Sequence, residues 1–157
     1  DAPDALPTTI QWAPRTDTRQ QLVLPATARG VAASVVVQRM CQTASGGSFF
    51  ARIGATLVPR EADTLAVTLT LADDPDMGYV LPAVIAGIEA TPADERPSGH
   101  VAFDRFVIHP VDLKPWAWRN AAAVALRLLC ADVAALDDEA VASLAQAYAV
   151  GLPAWSR

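Results

Sequence analysis

Apolar and polar positions alternate most regularly in Thr64–Leu71 (TLAVTLTL), a pattern that predicts a strand with one face buried and one solvated. Val31–Met40 (VAASVVVQRM) is a β-branched run. It breaks off at the polar, glycine-containing stretch Gln42–Ser48 (QTASGGS) and resumes at Phe49–Val58 (FFARIGATLV), which predicts a long hairpin with a loop at its tip. His100–Ile108 (HVAFDRFVI) alternates again and predicts a further strand. Between these strands, the acidic turn Asp73–Gly78 leads into YVLPAVIAGIEA, whose Val84, Ile85 and Ile88 keep helical spacing, with Pro82 in the first turn. Pro110 and Pro115 bracket a loop, after which Trp116–Leu136 reads as a long helix and Asp137–Tyr148 as a short one closed by Gly151 and Pro153.

The first 30 residues hold Pro3, Pro7, Pro14 and Pro25, and predict an extended arm with one short strand, Thr8–Trp12. The order is therefore β-β-β-α-β-α. Residues 31–136 are expected to form an α+β two-layer sandwich, a mixed sheet with helices on one face, flanked by the arm (1–30) and a C-terminal helix and tail (137–157).

Composition bounds the function. A chain of 157 residues, 52% hydrophobic and 18% charged, builds one core without staples. The net charge of -5 argues against holding nucleic acid by bulk electrostatics. The charge is polarised, however: residues 1–60 sum to +3 and residues 61–157 to -8. Cys41 and Cys130, with only His100 and His109 to join them, make neither a disulfide framework nor a metal set. No apolar run is long enough to span a membrane, and the start lacks a secretion signal, so a reduced cytoplasmic setting is expected. No phosphate-binding loop is present, hence no nucleotide or other cofactor is expected.

Chemistry-bearing side chains are few. Cys41 and His109 are the one available nucleophile–base pair, with no third residue to orient them, and no catalytic residue is assigned. Cys130 reads as a core thiol and Asp73, Asp74 and Asp76 as a solvated turn. Trp116 and Trp118, two apart, face different ways, one to the core and the other exposed or at a contact. His109, at a strand end between Ile108 and Pro110, is equally a turn residue or a presented group.

Three stretches together resemble domain IV of elongation factor G and its ribosomal protection relatives. QTASGGSFFARIGATLVP (Gln42–Pro59) is similar to that family's first tip loop and following strand. PAVIAGI (Pro82–Ile88) resembles its helix, and IHPVDLKPWAWRNAAA (Ile108–Ala123) its second tip loop and helix, with His109, Val111 and Asp112 on a His-x-Val-Asp pattern. The resemblance implies a left-handed βαβ crossover and two loops meeting at one end, Ser45, Gly46, Gly47 and Ser48 in one and His109, Val111 and Asp112 in the other. Arg39, Arg52 and Lys114 would supply phosphate contacts near the tip. Where the family continues its glycine loop with arginine, glycine and glutamine, this chain has Ser48, Phe49 and Phe50, which makes the tip more apolar. The chain carries no GTPase domain, so GTP-driven translocation is not expected of it. The leading expectation is a non-catalytic module that contacts the ribosome or structured RNA through its two loops. The alternatives are a protein–protein interaction module that kept the fold and lost RNA binding, and a small thiol-dependent enzyme using Cys41 and His109.

Overall fold

The computed structural model describes residues 11–41, 47–132 and 136–140. Its strands are β1 (Arg15–Pro25), β2 (Ser34–Cys41), β3 (Phe49–Pro59), β4 (Thr64–Ala72) and β5 (Gly99–Val107), and its helices are α1 (Met77–Ala90) and α2 (Pro115–Leu129). The strands form one mixed sheet in the order β1-β4-β5-β3-β2; β4 and β5 run parallel and every other pair is antiparallel. Both helices pack on one face, α2 over β2 and β3 and α1 between α2 and β4. This is the two-layer α+β sandwich that the alternating and helical patterns predict. Helix α1 is the crossover joining the parallel neighbours β4 and β5. Since each helix runs back from a strand of that pair, both helices begin at the end of the sheet where β4 and β5 finish.

Alternation sets the core. Val35 and Val37 of β2, Ile53, Ala55 and Leu57 of β3, Leu65, Val67 and Leu69 of β4, and Val101 and Phe103 of β5 all turn towards the helices and are buried. Strand β5 breaks period two between Phe103 and Phe106, where two polar residues, Asp104 and Arg105, intervene. The sheet absorbs the extra residue as a bulge: Ala55 pairs with Phe103 but Gly54 pairs with Arg105, so both phenylalanines reach the core. Trp118 is fully buried at the start of α2, and the alanines at 117, 121, 122 and 125 let that helix lie close to its neighbours. At Gly87 of α1 a Cβ would overlap the Arg119 carbonyl oxygen, so a glycine is what permits the two helices to touch there.

Helix α1 ends without a glycine cap. Buried Arg96 reaches back instead, donating from Nη2 to the Glu89 carbonyl at 2.8 Å, from Nε to that of Ile88 at 3.4 Å, and from Nη1 to that of Pro25 at 3.0 Å. A cation there satisfies orphan carbonyls and complements the negative end of the helix dipole.

Three predicted boundaries move. Residues 15–25 are a full strand, not part of an arm: Leu22 and Leu24 turn inward against β4, and the Arg, Gln and Thr positions are tolerated because an edge strand is solvated along one side. The sheet domain therefore begins before residue 31. The predicted strand at 8–12 falls largely outside the described residues, and Gln11 and Trp12 are not in a strand. Helix α1 starts at Met77, which puts Pro82 inside it; the hydrogen bond forfeited is to the carbonyl of exposed Gly78, where water can substitute. Helix α2 stops at Leu129, and its last carbonyl accepts from Val31 N at 2.8 Å and Ala32 N at 3.1 Å. Of the predicted last helix, Asp137 Oδ1 caps Ala140 N at 2.8 Å; residues 141–157 lie outside the described residues.

Candidate functional site

The two loops singled out in the sequence leave the same end of the sheet. The first joins β2 to β3, whose ladder closes with Cys41 opposite Phe49. Gly47 is exposed and Ser48 half-buried; Ser45 and Gly46 lie outside the described residues. The second joins β5 to α2 and takes its shape from two prolines. A residue before proline is held extended, as His109 (φ -106, ψ 110) and Lys114 (φ -126, ψ 117) are. Pro110 opens a single 3-10 turn, Pro110–Asp112, in which Asp112 N donates to the His109 carbonyl at 3.1 Å. Pro115 then occupies the first turn of α2. Val111 sits at the crest of this turn, 89% exposed.

Aromatic contacts join the loops on both faces of the sheet. Phe49 shares the helix side with Ala51 and Ile53, and its ring meets Trp116 edge-on, 4.5 Å between centroids. Phe50 shares the opposite face with Arg52 and Gly54. Its ring, 1% exposed, stacks on the imidazole of His109 at 4.1 Å and 12°. The first loop enters β3 through Phe49-Phe50, so the strand start is gripped from both sides by residues of the second loop and its helix. Of the two open readings of His109, the turn residue is the one seen: it precedes the Pro110–Asp112 turn, and its half-buried ring packs on Phe50. Trp118 is the core tryptophan and Trp116 the contact one.

The three expected phosphate contacts do not converge. Arg39 lies on the helix side of β2, in line with Val35 and Val37, where burial lowers its pKa from the ordinary arginine value. Arg52 lies on the opposite face, its Nη1 donating to Gln38 Oε1 at 3.0 Å and its guanidinium 5.1 Å from the centre of the Trp12 ring. Lys114 is half-buried at the entry to α2. The same alternation separates Cys41 from His109. The thiol continues the helix-side row of β2, whereas the imidazole stacks on Phe50 across the sheet, so the arrangement lacks the contact a nucleophile and its base require.

Sequence reasoning missed Trp12 and Arg105. Ala13 N donates to the Phe106 carbonyl at 2.8 Å and Asp73 N to that of Pro14 at 2.6 Å, so residues 12–14 are threaded beside the ends of β4 and β5. Arg105 packs under Trp12 at 5.4 Å. The signal lay in the FDRF break of alternation, which marks a bulge and so a side chain re-aimed. Asp73–Asp76 is a solvated turn as expected, with Asp74 Oδ1 accepting from Asp76 N at 2.8 Å. Cys130 is half-buried at the end of α2, its Sγ 3.6 Å from the Glu95 carbonyl. Among the described residues no helix is long and apolar enough to cross a membrane. No protein-family model, curated protein or solved structure matches the chain, so its reading rests on the geometry of this tip.

Proposed function

We propose that the chain is a non-catalytic binding module, similar to domain IV of elongation factor G, whose two loops act as one tip against the ribosome or a structured RNA. The observation that carries the reading is the double aromatic clamp, Phe50 on His109 and Phe49 on Trp116, which couples the loops at a single end of the sheet. A rigid base under two short loops is what a module needs to place backbone groups and small side chains against a partner of fixed shape. Ser45, Gly46, Gly47, Ser48, His109, Val111 and Asp112 are the proposed contact residues, and the cytoplasm is the compartment the reading requires. Co-sedimentation with purified ribosomes tests it: the wild-type chain pellets with them, and His109→Ala and Gly46→Ala each weaken pelleting. Absence of the wild-type chain from the pellet overturns the reading.

One observation favours a protein partner instead. Val111 is an almost fully exposed apolar side chain at the crest of the tip, next to exposed Pro110. The two readings separate by salt: an RNA complex weakens steeply as salt rises, whereas an apolar protein contact does not.

A further inference from the structure

The sheet face turned away from the helices carries a second cluster, in which Arg52, expected from the sequence at the tip, joins residues that the tip reading does not use. Arg52 and Gly54 point to this face because Ile53 and Ala55 on either side of Gly54 are in the core. A Cβ on Gly54 would stand 2.7 Å from the Arg105 guanidinium, so the missing side chain is what lets Arg105 lie flat across β3. Trp12 covers it and lies over Arg52 as well. Asp104 links Arg105, at 3.4 Å, to Arg15 of β1, at 3.2 Å. Beside that pair runs a groove of about 580 Å³, lined by Arg19, Gln21, Thr68, Thr70 and His100 among others, with Thr68 Oγ1 and His100 Nε2 hydrogen-bonded at 2.8 Å. The guanidinium groups of Arg15, Arg19, Arg52 and Arg105 thus share this face with the carboxylates of Asp17 and Asp104, on a chain of net charge -5.

From β1 to β3 the row crosses β4 and β5, three strand spacings of ~4.8 Å, or roughly 14 Å in all. One phosphate or carboxylate group cannot reach across it, but a polyanionic chain can. The groove is floored by hydroxyl, amide and imidazole groups, without the apolar anchors that hold a peptide. Guanidinium planes and an indole, by contrast, accept stacked bases as well as phosphates.

We propose that this open face binds single-stranded nucleic acid, its backbone running along Arg19, Arg15, Arg105 and Arg52. The proposal goes beyond the tip reading and does not depend on it. Fluorescence anisotropy with a short labelled oligoribonucleotide of mixed sequence tests it, beside the matching duplex and a polyglutamate peptide. The single strand binds best, with a log–log salt slope of about -3 for four contacts. Replacing exposed Arg15 and Arg19 together by alanine weakens binding about tenfold and roughly halves the slope. Asp104→Asn removes a competing carboxylate and tightens binding severalfold, a gain that damage to the fold cannot mimic. The oligonucleotide assay contains no ribosome, so its outcome is read apart from that of the ribosome experiment. Absence of single-strand binding, preference for the peptide or duplex, or indifference to the arginine pair and to Asp104→Asn overturns the proposal.

Discussion

The rings of Phe50 and His109 stack face to face, 4.1 Å between centroids and 12° between planes, and so tie the first residues of β3 to the loop that follows β5. Burial of Phe50 at this spot is unusual for its location, since it lies on the sheet face that the helices do not cover. The imidazole supplies the cover.

If that stack couples the loops, Phe50→Leu and His109→Ala are not independent. Chemical denaturation of the two single variants and the double variant should give an interaction energy of about 0.5–1.5 kcal/mol. Additive losses would mean that the rings are neighbours without being coupled.

Two glycines of α1 should respond to alanine with opposite signs. Gly87→Ala forces a methyl group into the Arg119 carbonyl, and separating the helices costs about 1–3 kcal/mol. Gly78→Ala meets nothing within 4 Å and restricts only the unfolded chain, so it stabilises by ~0.5 kcal/mol. Thermal and denaturant melts of the pair check this, and equal effects would contradict the close approach of the helices.

This contrast also shows what was legible in the sequence. The Gly-Ile pair at 87–88 stood out as a motif, but only the packing of α1 against Arg119 gives its physical cause. The strands and helices flanking the tip followed from periodicity, because one buried face imposes period two or 3.6. Strand β1 did not, since its solvated edge removes half of the constraint. The convergence of Phe50 with His109 and of Arg15 with Arg105 depends on strand order and on the bulge at Asp104, which no local pattern encodes. Expecting Arg39 and Arg52 to cooperate failed for a simple reason: opposite positions in the pleat put them on opposite faces.

Cys130 should confer a pH dependence. Burial, reinforced by the Glu95 carboxylate and opposed by Arg127, pushes its thiol up to about 11 from an ordinary 9.0. A folded-state pKa above the unfolded one favours the protonated thiol in the fold. Its stabilising share is therefore complete below about pH 9 and is lost as pH rises towards 11. Denaturation across that range should show a decline in the wild type that Cys130→Ala lacks. In a Cys41→Ser background, iodoacetamide labelling should reach half its limiting rate near pH 11; half-reactivity near pH 9 would contradict the burial.

The central claim is that the two loops form one ribosome- or RNA-contacting tip, and its most direct test starts at Val111. The side chain is 89% exposed, so a photo-crosslinking amino acid there leaves the packing untouched. Irradiated with purified ribosomes, the substituted chain is predicted to join covalently to ribosomal RNA, and His109→Ala in the same chain to reduce the yield. Crosslinks to protein alone, or none above an unirradiated control, would contradict the claim.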